Sequence, residues 1–191
     1  MPRFTTFRRR CIGAAAATVA AAALLTAAPA SSAPEDCNYM GFGSGPDSLG
    51  LQFDPQEQKM MDTINAYRAS KGVPAVAPSD ALRRPAMWAS LDSVVALGKP
   101  APGHIDSRGM DIPTRVQYCS GYTGRVYEIN FGQTGGSYGN SVGPAMDFWK
   151  NSPTHNAIML DPGNTTAAAG LAYNGVDAEV LYVWTVVFGD H

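Results

Sequence analysis

The chain of 191 residues is poor in the side chains that most often carry chemistry, with only three histidines and three cysteines. Two overlapping stretches, GGSYG (135–139) and GNSVG (139–143), match the bare G-x-S-x-G pattern. They fall in and directly after a glycine-rich loop, and we predict no nucleophile elbow there. No H-E-x-x-H pair supplies zinc ligands, and the glycine-rich stretch GQTGG lacks the lysine of a phosphate-binding loop. The sequence therefore predicts none of the sites that are typical of serine hydrolases, zinc peptidases and P-loop proteins.

The beginning of the chain has the composition of an export signal. Four arginines fall among the first ten residues, an alanine-rich run follows, and Ala28-Pro29-Ala30 is typical of a cleavage site. A membrane anchor is less favoured, because alanine is only weakly apolar and no basic stop follows the run. We predict a secretory signal at residues 1–30 and a secreted product, or a periplasmic one if the cell has an outer membrane.

Cleavage there leaves few basic residues. The first 30 residues hold four of the 14 basic side chains and no acidic one, so the remaining 161 residues carry 10 basic against 16 acidic groups. A nucleic-acid-binding protein needs a basic face, and so does adhesion to an anionic membrane. The acidic balance therefore predicts no nucleic-acid partner. Because no second hydrophobic span follows the signal, we also predict no stable membrane insertion.

Two cysteines remain once Cys11 leaves with the signal. An even number of cysteines in an oxidising compartment predicts a disulfide between Cys37 and Cys119, with two free thiols as the alternative. The bond would hold an irregular Gly-, Ser- and Pro-rich arm (31–53) against a single domain (54–191).

Hydrophobic periodicity predicts helices early in the domain and strands late. A first helix covers 54–72, with Asp54 and Glu57 as a capping box. A second region, 79–98, contains Pro85, so we predict a lead-in turn and a main helix starting at that proline. Further predictions are a helical turn near Pro113–Gln117, a strand over 125–132, helices over 141–151 and from Ser152, and strands at 167–173 and 179–189. This order indicates the α+β class with a largely antiparallel sheet.

Three dispersed residues could form one site. His104 lies in a loop, Glu128 projects from the strand of alternating pattern, and His155 falls in the first turn of a helix. The positive end of the helix dipole favours a neutral His155 ring, as a metal or a general base requires. Two histidines and one carboxylate would make an open divalent-metal site. The alternative is that each residue hydrogen-bonds locally or faces solvent.

Five segments, in order, resemble the CAP superfamily (cysteine-rich secretory, antigen 5 and pathogenesis-related proteins) in its bacterial secreted branch. They lie within residues 57–189. They are NAYRASKGVPAV (65–76), the set His104, Asp106, Gly109, Arg115, Gly121 and Tyr122, YEIN (127–130), WKNSPTHNAIMLDP (149–162), and the closing GLAY…YVWTVVFG.

The resemblance implies a three-layer α–β–α sandwich with a central cleft lined by two histidines and two acidic residues. Several family members bind zinc or another divalent cation there. His104 and His155 match the family histidines, and Glu128 matches the glutamate of the family's G-E-N motif. Asp106 and Asp111 are both candidates for the second acidic residue.

Three functions are compatible with that resemblance. The first is a binding module for a small hydrophobic, lipid or cell-wall-derived ligand, with or without a divalent cation such as zinc. The second is a metal-assisted hydrolase with His104 and His155 as ligands and Glu128 as base. The third is a non-catalytic host- or surface-interaction protein. Because we predict no nucleophile elbow and the ligand set is incomplete, a binding module is favoured over an enzyme.

Overall fold

The computed structural model describes Cys37 and residues 55–135, 141–174 and 180–191. The predicted signal and nearly all of the arm lie outside these residues. The helices are α1 (Pro55–Ser70), α2 (Asp80–Asp92), α3 (Ile112–Ser120), α4 (Val142–Asn151) and α5 (Pro153–Leu160). The strands are β1 (Ala77–Pro78), β2 (Val126–Thr134), β3 (Thr166–Asn174) and β4 (Leu181–Gly189). None of the helices in the described part is long and apolar enough to cross a membrane.

The four strands form one mixed sheet in the order β1-β3-β4-β2. Strand β4 pairs antiparallel with both β2 and β3, whereas β1 runs parallel to β3 and pairs through Ala77 and Pro78 alone. The predicted α+β class and largely antiparallel sheet are confirmed, with the short β1 as the parallel exception.

Both edges of the sheet are protected against pairing with another strand. At one edge β1 is only two residues long, and Pro78 has no N–H to donate. At the other edge the Trp149 indole donates to the Asn130 carbonyl at 2.9 Å, and the Pro100 ring packs over Gly132. Short or covered edges prevent strand addition by other chains.

Helices cover the two faces of the sheet, which gives the expected three-layer sandwich. Helices α1, α4 and α5 cover one face, and α2 and α3 cover the other. The larger core includes Met60, Met61, Ile64, Met146, Trp149, Met159, Trp184, Val186 and Phe188. The predicted alternation of β2 is confirmed, because Ile129 belongs to this core whereas Glu128 faces α3.

The prediction that Pro85 separates a lead-in turn from the main helix is wrong. Helix α2 runs without interruption from Asp80, and a π-helical turn (Ser93–Leu97) continues it to a left-handed Gly98. Pro85 lies buried in this helix. Its missing N–H costs one backbone hydrogen bond, and we attribute the continuity to the packing of the surrounding turns on the sheet.

Gly170 allows α2 to lie unusually close to β3. A Cβ atom at this position would come within 2.6 Å of the backbone of Ala86 and Met87. The Ser90 hydroxyl also donates to the Gly170 carbonyl at 2.8 Å. The helix therefore rests on the backbone of the strand rather than on a side chain.

Arg68 ties the end of α1 to the segment that follows α5. Its fully buried guanidinium donates to four backbone carbonyls, at distances of 2.6–3.1 Å. These acceptors belong to Pro74, Met159, Asp161 and Asn164. A buried guanidinium is tolerated here because its donors are used.

Glu57 is also a buried anchor. Its carboxylate accepts from the Leu171 N–H at 3.3 Å and lies 3.5 Å from the Arg83 guanidinium. It thereby provides a hydrogen-bond acceptor for a backbone N–H of β3 beyond the two residues that pair with β1. Asp54, its predicted partner in the capping box, lies outside the described residues.

The predicted disulfide between Cys37 and Cys119 is confirmed. Both cysteines are buried against Trp88 of α2, and Cys119 belongs to α3. The bond therefore attaches Cys37 of the arm to the face of the sandwich that α2 and α3 form.

Replacing Arg68 with methionine should lower the free energy of unfolding by at least about 3 kcal/mol, because buried carbonyls lose their donors. Urea unfolding followed by circular dichroism measures this change. Lys99→Met, which removes a positive charge from an exposed position, is the control and should change stability by less than about 0.5 kcal/mol. Equal effects of the two substitutions would contradict the anchoring role.

Gly170→Ala should destabilise the protein by about 1–3 kcal/mol, because the new methyl group must push α2 away from β3. The matched control is Gly143→Ala in α4, where a Cβ meets nothing within 4 Å. There the substitution should stabilise the helix by about 0.5 kcal/mol. Thermal denaturation of the two variants should therefore show shifts of opposite sign, and a stabilised Gly170→Ala would refute the close approach.

Candidate functional site

His104 has an unusual backbone conformation. It ends the short turn Pro102–His104 and, like Gly103 before it, has a positive φ, of 62°. Among the described residues it is the one non-glycine residue with a positive φ. Residues with a Cβ rarely occupy this region, and such strained residues cluster at functional sites.

Glu128 holds the His104 ring from the sheet. Its Oε1 lies 3.0 Å from His104 Nδ1, and its Oε2 is paired with the Arg115 guanidinium. Both members of the Glu128–Arg115 pair are almost completely buried. Arg115, on α3, also donates to the carbonyls of His104 and Met110 at 3.4 and 3.5 Å. One buried ion pair thus contacts both the ring and the backbone of the histidine.

The hydrogen bond to Glu128 determines what the His104 ring offers to a ligand. An ionised carboxylate only accepts hydrogen bonds, so Nδ1 carries the proton that is donated to it. In the neutral ring Nε2 then has a free electron pair. The His104 side chain is 27 % exposed whereas that of Glu128 is 1 % exposed, so the ring is the part of this pair that a ligand can reach.

His155 lies in the first turn of α5 and meets His104 edge to face. The two ring centroids are 6.5 Å apart and the ring planes are inclined by 80°. Burial lowers the pKa of His155, and the electrostatic interaction with His104 lowers it further. The neutral ring that the sequence favoured is therefore supported, with burial rather than the helix dipole as the main cause. Its Nδ1 is buried and has no hydrogen-bond partner among the residues that the structure describes.

Phe148 extends the two histidines into an apolar surface. The centroid of its ring lies 5.5 Å from that of the His155 ring and 5.4 Å from that of the Phe131 ring. Phe148 is 48 % exposed. We call His104, His155, Phe148 and Phe131 the His–Phe row. The row has an imidazole acceptor at one end and phenyl groups at the other.

The two candidates for a second acidic residue have local partners. Asp106 is buried and accepts from the Trp88 indole at 3.2 Å and from the N–H groups of Arg108 and Met110. Asp111 is the N-cap of α3, and its hydrogen bonds from Thr114 lower the pKa of its carboxyl group. Neither carboxylate is hydrogen-bonded to the histidines. Their assignment to the site stays a prediction.

The donor set does not fit a tightly held metal ion. Within the described residues there is no group of three His, Cys, Asp or Glu side chains placed to hold one. His104 and His155 are brought together, but the Glu128 oxygens face His104 and Arg115. Zinc sites in proteins use at least three protein ligands. Two imidazoles alone fall short of that number.

Sequence reasoning missed the roles of Arg115 and Phe148. Arg115 was part of a family motif, but arginine is mostly exposed, so nothing local indicated a buried ion pair. Phe148 had a readable signal. It lies in α4 outside the buried stripe of that helix, and an apolar residue there is exposed unless another element covers it.

Comparison with known proteins agrees with this architecture. The model of the CAP family, described as the cysteine-rich secretory protein family, matches residues 61–188. An outer surface protein of Borrelia burgdorferi is 17 % identical with a TM-score of 0.53, covering 74 % of this chain and 98 % of its own. A search of curated proteins finds no match.

A second similar structure is an extracellular protein containing an SCP domain from Bacillus anthracis, 18 % identical with a TM-score of 0.55. The match covers 79 % of this chain but only 45 % of that protein, so the chain spans less than half its length. At these identities the two structures show the fold alone. The family match extends over well more than half of the sequence, and the chain belongs to the CAP family.

Proposed function

We propose that this chain is an exported binding module that takes a small amphiphilic molecule, lipid-like or cell-wall-derived, on the His–Phe row. The observation that supports it is the contact between a neutral imidazole and an exposed phenyl ring, His155 and Phe148. A ligand with an apolar body and a polar head would cover the phenyl group and hydrogen-bond to the imidazoles. Binding sites commonly combine an apolar lining with a few placed polar groups.

Exposed apolar side chains support the apolar half of this site. Large hydrophobic side chains that are exposed are few in the described part of the chain, and Phe148 is one of them. Ile105, directly after His104, is another, at 42 % exposure. Exposed apolar groups beside a polar cluster are typical of surfaces that bind ligands or partners.

Export is supported by three observations of different kinds. The first 30 residues have the composition of a secretory signal. The disulfide is typical of an oxidising compartment. The similar bacterial structures are described as an outer surface protein and an extracellular protein.

The geometry supports hydrolysis less well than binding. A general base must be free to accept a proton, yet both Glu128 oxygens already have partners in His104 and Arg115. A water-activating metal would find two imidazoles and no directed carboxylate among the described residues. The proposal therefore contains no catalytic step and no cation.

Native mass spectrometry of the protein isolated from its own secretion tests the proposal. We expect a noncovalent small molecule to accompany the wild-type chain, and Phe148→Ser and His155→Ala to reduce its occupancy at least tenfold. Val95→Ser and His191→Ala are matched controls on an exposed apolar residue and an exposed histidine, and both should retain it. A wild-type chain that carries no molecule, or controls that lose it equally, would contradict the proposal.

The lowered pKa of His155 gives a prediction for stability. Above a pH of about 6.5 the His155 ring is neutral in both the folded and the unfolded state, so protonation of this ring does not reduce the free energy of unfolding. As the pH falls from there through the lower folded pKa, the unfolded state takes up the proton first, and stability is lost. Urea unfolding at pH 7.5 and 5.5 should show a larger acid loss for wild type than for His155→Gln. Equal losses would contradict the effect of burial.

A further inference from the structure

The stability of the fold does not by itself explain why Arg115 and Glu128 form a buried ion pair. The two side chains are 0 % and 1 % exposed, and removing two charges from water costs much of what their attraction returns. Apolar residues of similar volume often stabilise such a position equally well. The pair is therefore better explained by what it holds, and it holds His104.

Arg115 acts on His104 by two routes. Through Glu128 it keeps an ionised acceptor 3.0 Å from the Nδ1 atom of the ring. Through its second nitrogen it donates to the His104 carbonyl and to the Met110 carbonyl in the same loop. The first route fixes which ring nitrogen is protonated, and the second holds the backbone at the left-handed φ of 62°.

We propose that Arg115 is a positioning residue that fixes the orientation and the tautomer of His104, so that Nε2 of the neutral ring presents a free electron pair. The inference rests on the proposed binding site and adds the chemistry of its ligand. A head group that donates a hydrogen bond, such as a hydroxyl or an amine, is accepted by Nε2. A carboxylate head has no proton to give, and the charge of Arg115 is buried and already paired.

The tautomer can be observed directly in the full-length secreted protein without any ligand. Because the chain has three histidines, a long-range proton–nitrogen correlation spectrum at a pH where the rings are neutral resolves each one. Single substitutions of His155 and His191 complete the assignment. We expect His104 to be protonated at Nδ1. A wild-type ring protonated at Nε2, or an even mixture, overturns the proposal at once.

Variants then separate positioning from simple structural support. Arg115→Lys keeps the charge beside Glu128 and should keep the Nδ1–H tautomer, whereas Arg115→Met should give a mixture of tautomers. If Arg115→Met fails to fold, Arg115→Gln takes its place. Arg125→Met removes an exposed arginine that also pairs with a carboxylate, Asp161, and should leave the His104 signals unchanged. An unchanged His104 tautomer in a folded neutral variant of Arg115 contradicts the proposal.

The strained backbone supplies a second readout. At a positive φ glycine is more stable than alanine, so His104→Gly should melt at a higher temperature than His104→Ala. The exposed helical residue Asp147 is the control, because there the alanine variant should melt higher than the glycine variant. If alanine is the more stable replacement at both positions, the left-handed conformation of His104 is not held in solution.

Binding measurements test the ligand class with two probes of the same chain length, decanol and decanoate. We expect decanol to bind at least tenfold more tightly to wild type, and the preference to shrink in Arg115→Met. Equal binding, or tighter binding of decanoate, overturns the inferred selectivity. If neither probe binds and no molecule accompanies the secreted protein, the proposed function fails, while the tautomer of His104 still decides the role of Arg115.

Discussion

The pairing of β4 with both β2 and β3 is the constraint on which the rest of the structure depends. β4 is hydrogen-bonded on both sides and apolar on both faces, with Val183 and Val187 on one and Trp184 and Phe188 on the other. Since neither face can be left in water, helices must cover both. The helices that bear Arg115 and His155 are thereby brought to strand β2, which carries Glu128, and the site forms there.

Buried charges in this protein hold separate segments together. Arg68 fixes α1 to the end of α5, and Glu57 satisfies a backbone N–H of β3. Arg115 donates to two carbonyls of the loop in which His104 has a positive φ, and Glu128 contacts the His104 ring. Each of these charged side chains can be buried because it is hydrogen-bonded. Removing the side chain would leave its buried partners without hydrogen bonds.

Membership of the CAP family accounts for the fold. The chemistry of the site depends on which contacts its residues make in this particular chain. The family expectation placed His104, Glu128 and His155 in one site, and in this structure His104 contacts the other two residues. The carboxylate of Glu128, however, is directed at an imidazole and a guanidinium rather than at a position for a metal ion. The result is a pair of imidazoles beside an exposed phenyl ring.

The sequence by itself determined what depends on local pattern. The apolar stripes of α1 and α4, the alternation of β2, the start of α5 at Pro153 and an even pair of cysteines were all readable, because periodicity and capping act over a few residues. Only the tertiary structure decided the continuity of α2 through Pro85, the parallel pairing of β1, and the partners of Glu128 and Phe148. These features depend on contacts between segments far apart in the chain, and the stability they gain from burial has no local signature.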